Sequence, residues 1–161
     1  MASNEHKNLS NANLHDPKDF STASNSTFLS KNSSGDLSWV RNKQSIIVDV
    51  SKNETTDLTT GDGKSYFRMP YAFTLTSIRA SVNTAPAGET LLTIDVEMGE
   101  SILSTLITID SGEETSTTAA TPPVINISAL TDDAEIKINI DSVGNDVAGK
   151  GLKVVLIGYP V

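Results

Sequence analysis

The stretch TLLTIDVEM, at residues 90–98, alternates apolar and polar side chains, and its apolar set is Leu92, Ile94, Val96 and Met98. The stretch EIKINID, at residues 135–141, repeats this alternation with isoleucine at positions 136, 138 and 140. Successive side chains of a β-strand point to opposite faces of the sheet. Each stretch therefore predicts a strand that buries an apolar face and turns acidic or polar side chains outward.

Short β-rich runs of this kind fill the chain from residue 45 onward. The predicted strands are residues 45–50, 66–69, 73–82, 90–98, 102–109, 115–118, 124–127, 135–141 and 152–159. Glycine and proline mark turns between them, at residues 61–63, 85–88, 99, 112, 122–123 and 144–151. Helical periodicity is missing, so almost no helix is expected. The pattern predicts an all-β, antiparallel, jelly-roll-like sandwich, with a seven-stranded immunoglobulin-like order as the alternative.

The run FTLTSIRASV, at residues 73–82, changes phase in its middle. Phe73 and Leu75 fall on one alternation, whereas Ile78, Ala80 and Val82 fall on the other. An extra residue near positions 76 and 77 would bring both sets to the same face. We therefore predict a β-bulge, or a bend between sheets, at this point.

Residues 1–44 form a different region, rich in Asn and Ser, which we interpret as an extended N-terminal arm ahead of a sandwich at residues 45–161. Disorder is one interpretation of such a composition. The other is a peptide that lies across a partner protein, because large apolar residues recur every five to eight positions. The residues predicted to dock on that partner are Leu9, Leu14, His15, Pro17, Phe20, Phe28 and Trp39.

A short β-hairpin is predicted near residues 27–40 of the arm. The runs TFLSK and DLSWV flank residues 32–35, whose Asn, Ser and Gly suit a tight turn. An isolated hairpin is marginally stable in water. Phe28 and Trp39 are therefore expected to be covered by the main domain or by a partner chain.

Composition excludes several classes of function. The formal net charge is −8 and the basic residues are scattered singly, which argues against nucleic-acid binding. The chain has no cysteine, so disulfides and thiolate metal sites are excluded. No apolar run approaches the roughly 18–20 residues of a membrane span, and no secretory leader is recognisable. Membrane insertion is therefore not expected.

Candidate chemical groups are sparse. His6 and His15 both lie in the arm, so a catalytic triad would require the arm to reach onto the sandwich, and their spacing is poor for zinc. The pairs at residues 113–114 and 132–133 could ligate calcium or serve glycoside hydrolysis, but solvated turn charge explains them better. The glycines of DSVGNDVAGKG, at residues 141–151, do not have phosphate-loop spacing. No catalytic residue, metal site or cofactor is predicted.

Residues 66–73 carry the densest group of aromatic side chains. Tyr66 and Tyr71 could stack on a sugar ring, with Arg68 beside them. Alternation predicts instead that about half of these rings enter the core, and a subunit interface could take the rest. Tyr66, Arg68 and Tyr71 are therefore possible ligand or subunit contacts, and packing is the favoured interpretation.

Two long segments carry a family resemblance. FRMPYAFTLTSIRASVNTAPAGETLLTIDV begins at Phe67 and is followed by SILSTLITIDSGEETSTTAATPPVI, DDAEIKINIDSVG and GKGLKVVLIG. Together they resemble a β-sandwich module of tailed-bacteriophage structural proteins, over residues 66–158. NEHKNLSNANLHDPKDFSTASNSTFLSKNSSGDLSW, at residues 4–39, is similar to the leader of phage fibre and head-attached proteins. The matched residues are strand cores and turns, not catalytic groups.

The resemblance implies a non-enzymatic virion protein on the particle surface. It implies a short head fibre or decoration protein, a homotrimer whose arm binds a capsid, portal or tail protein. A long repetitive shaft and an added C-terminal domain, usual in long tail fibres, have no counterpart in the sequence, so a short projection is expected. The alternative is a tail-fibre adaptor or a receptor-binding module for a host-surface glycan.

Overall fold

The computed structural model describes residues 27–161, in which every regular element is a β-strand. The chain divides into two units, Met1–Asn42 and Lys43–Val161, which we describe separately. The first unit contains β1 (Thr27–Lys31) and β2 (Leu37–Arg41). The second contains β3 (Gln44–Asp49), β4 (Gly61–Arg68), β5 (Phe73–Ser81), β6 (Leu92–Glu97), β7 (Leu103–Thr105), β8 (Ile107–Ile109), β9 (Val124–Ile125), β10 (Ala129–Leu130), β11 (Glu135–Ser142) and β12 (Lys153–Pro160).

The second unit is an antiparallel jelly-roll sandwich. One sheet has the strand order β10-β5-β12-β3 and the other β4-β11-β6-β8, and a small sheet pairs β7 with β9. The pairs are nested: β3 with β12, β4 with β11, β5 with β10, and β6 with β8. The chain is thus folded as one long hairpin and wrapped into two sheets, which is the jelly-roll arrangement. The predicted fold class is confirmed, and the immunoglobulin-like order is wrong.

The core lies between the two large sheets. Leu92, Ile94 and Val96 of β6 are fully buried, as are the isoleucines at positions 136 and 138 of β11. The opposing sheet contributes fully buried Phe73 from β5 and Leu156 from β12. The alternation in the two strands that predicted the fold is therefore the alternation between core and outer face. Burial of these side chains supplies the main stabilising free energy of the sandwich.

The predicted bulge in β5 is confirmed. Ser77 pairs with Ile157 of β12, but the next residue of β12, Gly158, pairs with Leu75, so Thr76 is the extra residue. Its hydroxyl donates a hydrogen bond of 3.1 Å to the carbonyl oxygen of Ile157. The extra residue brings the apolar side chains before and after it onto the core face.

Four details of the predicted strands are wrong. Residues 102–109 form two strands, β7 and β8, separated at Leu106. They are separate because β7 pairs with β9, whereas β8 pairs with β6. Residues 115–118 are a turn stabilised by their own hydroxyl groups, with one isolated bridge from Thr115 to Ser81. Gly61 and Gly63, predicted as a turn, lie in the first part of β4. The two-residue strand β10 was not predicted, because only its pairing with β5 identifies it.

The predicted hairpin of the first unit is confirmed as β1 and β2. The turn is closed by Asn32, whose backbone N–H and side-chain oxygen both bond to the backbone of Asp36. Gly35 has a φ of 93°, a conformation that glycine adopts without steric cost. Asparagine and glycine thus fix the turn at the predicted positions.

Candidate functional site

The predicted docking residues fall in two groups. Leu9, Leu14, His15, Pro17 and Phe20 lie outside the residues that the structure describes. Phe28 and Trp39 lie within them, on the hairpin. The candidate surfaces within residues 27–161 are therefore the hairpin itself and the outer faces and edges of the sandwich.

The hairpin carries apolar side chains on both of its faces. Phe28 is paired with Val40, and the next pair along the ladder, Leu29 with Trp39, points to the opposite face. Leu37 lies on the Leu29 and Trp39 face. Phe28 is 48% exposed and Leu37 is 45% exposed. Two faces with apolar groups cannot both be covered by one flat surface, so full burial of this hairpin requires contacts on two sides.

Tyr66 is the most exposed ring of the sandwich, with 71% of its surface accessible. It lies on the outer face of β4, opposite Lys137 of β11, which is itself opposite Glu97 of β6. These three side chains form one row across the sheet. An exposed ring at the end of a row of charged side chains is suited to contact either a sugar face or another protein surface.

Arg68 lies on the same outer face and is tied to a turn. Its guanidinium donates a 2.8 Å hydrogen bond to the carbonyl oxygen of Asp133 and lies 3.5 Å from the carboxylate of that residue and 3.8 Å from Glu135. Asp133 has a φ of 57°, in the left-handed region. The arginine therefore stabilises the tight turn before β11, and its exposed ion pairs add little stability.

Tyr71 has a different environment. Its hydroxyl donates a 2.5 Å hydrogen bond to the side-chain oxygen of Gln44 on β3, and its ring lies 6.3 Å from the ring of Phe73. The ring packs against the core. The structure thus brings Tyr66 and Arg68 onto one face of the sheet. Tyr71 packs against the core instead.

The outer face of the same sheet also contains buried polar residues, which the sequence pattern alone does not indicate. Asn139 and Asp95 are opposite each other on β11 and β6, and both are buried. Asn139 accepts a 2.7 Å hydrogen bond from the backbone N–H of Gly63, and Asp95 accepts one of 2.6 Å from the hydroxyl of Ser101. Alternation predicts both on the polar face, but the backbone of Gly63 in β4 and the side chain of Ser101 contact them there.

Asp141 is the next outward-facing residue of β11, and its negative charge is unfavourable in this position. Partial burial raises the pKa of its carboxyl group, and repulsion from Asp95 and Asp62 raises it further. Within residues 27–161, however, no three His, Cys, Asp or Glu side chains are grouped closely enough to hold a metal ion. The acidic pairs at 113–114 and 132–133 belong to turns, where Glu113 accepts a hydrogen bond from Thr118.

Over the described part of the chain, no helix is long and apolar enough to cross a membrane.

Comparisons with known proteins do not identify a relative of this chain. No protein-family model matches the sequence, and neither a curated protein nor a solved structure matches it.

Proposed function

We propose that this protein is a non-enzymatic structural component of a tailed-phage virion, a short head fibre or decoration protein held to the particle by its N-terminal arm. The observation that carries the proposal is the hairpin with apolar side chains on both faces. Phe28 and Val40 on one side, and Leu29, Leu37 and Trp39 on the other, form two contact surfaces on one small element. Such an element is suited to insertion between the surfaces of an assembly.

The proposed assembly is a homotrimer in which each arm binds a capsid, portal or tail protein. Extended arms dock through main-chain hydrogen bonds and through side chains that fill pockets. Three arms on one trimer would raise the avidity far above the affinity of a single arm. Light scattering on the purified protein is expected to give three times the 17.1 kDa mass of one chain.

Cosedimentation with particles that lack the protein tests the attachment. The full-length chain is expected to pellet with such particles, and the double substitution Phe28→Ser with Leu37→Ser is expected to abolish this. Ile47→Ser is the matched control, because Ile47 is an exposed apolar residue of the sandwich. If the hairpin variant pellets as well as the control, docking through the hairpin is wrong.

The second candidate is recognition of a host-surface glycan, which the exposure of Tyr66 favours. Arg68 lies on the same face of β4 and Lys137 is opposite Tyr66 on β11, and both side chains can donate hydrogen bonds to sugar hydroxyl groups. A glycan array probed with the wild type and with Tyr66→Thr tests this candidate. Selective retention that is lost in the variant would support it, and equal signals from both proteins would reject it.

A further inference from the structure

Strand β5 is hydrogen-bonded along the whole of one edge and only at the two ends of the other. One edge pairs with β12 from Phe73 to Ser81. On the other edge, β10 pairs with Phe73 and Thr74, and the N–H of Leu75 donates to Ser128. Farther along, the carbonyl of Ala80 accepts from the N–H of Ser116 at 3.0 Å. The interval between these two contacts is open.

The open interval presents one complete backbone donor and acceptor pair. The N–H of Ala80 donates to the hydroxyl of Ser116, so the backbone of Ala80 points away from β12. Alternate residues of an antiparallel strand direct their N–H and C=O groups to the same edge. Ile78 therefore points its N–H and C=O the same way, and neither has a hydrogen-bond partner among residues 27–161.

The segment that faces the open interval does not form a strand that pairs with β5. Residues 122–125 lie across from β5, but Val124 and Ile125 pair with β7 instead. Pro122 and Pro123 have no N–H to donate to a neighbouring strand. The result is a groove of about 560 Å³ lined by residues 76–79, 116–117 and 122–125. This volume is within the range of about 300–1,000 Å³ that ligand sites occupy.

The lining of the groove specifies the chemistry of an occupant. The backbone of an extended peptide offers a donor and an acceptor at the spacing that the N–H and C=O of Ile78 require. Arg79 is the single charged residue among the lining residues, and it makes no ion pair within the part of the chain described. Val124 adds an apolar surface that is half exposed. An acidic residue beside an apolar one meets these requirements.

We propose that the open interval of β5 accepts an extended segment of a partner protein by strand addition, with an acidic side chain against Arg79. Residues directly opposite each other on neighbouring strands point to the same face. The residue opposite Ile78 therefore faces the interior and is apolar, while the residue opposite Arg79 faces outward and is acidic. Main-chain hydrogen bonds supply the affinity and the two side chains supply the selectivity.

Amide hydrogen exchange on the free, full-length protein is the first test. Ser77 and Arg79 point their amides toward β12, whereas Ile78 does not. The amide of Ile78 is expected to exchange at least tenfold faster than those of both neighbours. Strong protection of Ile78 in the free chain at low concentration would mean that the chain's own N-terminal segment fills the groove. Protection that appears only at high protein concentration would identify a second copy as the occupant. Either result overturns the proposal.

Peptide titration followed by amide chemical shifts is the second test. The probe is a blocked heptapeptide, Ser-Thr-Asp-Val-Thr-Val-Ser, which is expected to shift the amides of Ile78 and Arg79 saturably. A peptide with lysine in place of its aspartate is expected to bind at least threefold more weakly, and Arg79→Glu is expected to reverse this preference. N-methylation of the central valine is expected to abolish binding.

The control for specificity is the border strand of the same sheet. Ile47, on β3, is exposed and is paired with β12 on one side. Equal shifts at Ile47 and Ile78 would show that the peptide adds to any free edge, which would overturn the proposal. So would binding that is the same for the aspartate, lysine and N-methylated peptides.

Discussion

Gly158 of β12 lies against the backbone of Thr74 of β5, so closely that a Cβ atom at position 158 would come within 2.0 Å of the carbonyl oxygen of Thr74. The contact lies beside the bulge at Thr76, where the register of the two strands shifts. The ring of Phe73, in the centre of the core, lies 2.8 Å from the same point. Position 158, on the strand facing the bulge, thus requires glycine.

Gly158→Ala is therefore expected to destabilise the sandwich by more than about 3 kcal/mol, since overpacking against backbone forces the strands apart. Gly99→Ala is the control. Gly99 has a φ of 77°, but no atom lies within 4 Å of the point that an alanine methyl group would occupy, so only backbone strain of about 1–2 kcal/mol is expected there. Urea unfolding measures both. Equal losses in the two variants would contradict the steric explanation.

Asn139→Ala is expected to cost about 1–3 kcal/mol, because it leaves the N–H of Gly63 without its acceptor near a buried surface. Lys137→Ala, at the next outward-facing position of β11, is expected to change stability by less than about 0.5 kcal/mol. Thermal unfolding of both variants distinguishes a polar side chain that stabilises the fold through a hydrogen bond from one that only contacts solvent. A loss of similar size at Lys137 would show that side-chain packing on this face matters more than the hydrogen bond.

Asp141→Asn is expected to raise the unfolding temperature at pH 7 and to leave it unchanged at pH 3. Burial, with repulsion from Asp95 and Asp62, raises the pKa of this carboxyl in the folded protein. The folded state then holds the proton more tightly than the unfolded state. No stability is lost below the ordinary value of 3.8, and the loss develops as the pH rises through the raised pKa. Asp132→Asn, at an exposed turn, controls for the change in net charge, and an equal gain there would contradict a local effect.

Tyr71→Phe is expected to destabilise the sandwich by about 1 kcal/mol, because it removes the hydrogen bond from the tyrosine hydroxyl to Gln44. Tyr66→Thr retains a residue that favours strands and is expected to be within about 0.5 kcal/mol of the wild type. Denaturant unfolding measures both differences. The reverse order of effects would mean that Tyr66, and not Tyr71, has the structural role in this cluster.

The alternation of apolar and polar residues predicted most of the sandwich, because it can be seen within each strand without knowing the neighbouring strands. Leu92, Ile94 and Val96 face the core wherever their strand is placed in a sheet, and the phase change near Thr76 is visible without knowing the partner strand. The strand β10 and the break at Leu106 depend on which strands lie alongside, and no local pattern encodes that. The environments of Asn139 and Asp95 are not visible in the alternation either, because they depend on hydrogen bonds from Gly63 of the neighbouring strand β4 and from Ser101 after β6.

The candidate surfaces were less predictable than the fold. Tyr66 begins a predicted strand and Tyr71 falls between two, so alternation alone does not separate an exposed ring from a packed one. Contacts with Gln44 and Phe73 give Tyr71 its different environment. Nothing in the residues of β5 itself predicts that one of its edges is left open. The nearest signal is the pair Pro122 and Pro123, which predicted a turn but did not indicate which strand that turn leaves unpaired.

The nesting of β3 with β12 has a consequence for synthesis of the protein. β12 lies between β5 and β3, so its sheet cannot be completed until residues 153–160 have been made. The first strand of the sandwich must wait for β12, and such long-range pairing slows folding. A chain that terminates before residue 153 would present two unpaired strand edges, which promote aggregation. The complete sandwich can therefore form only after the ribosome has synthesised residue 160.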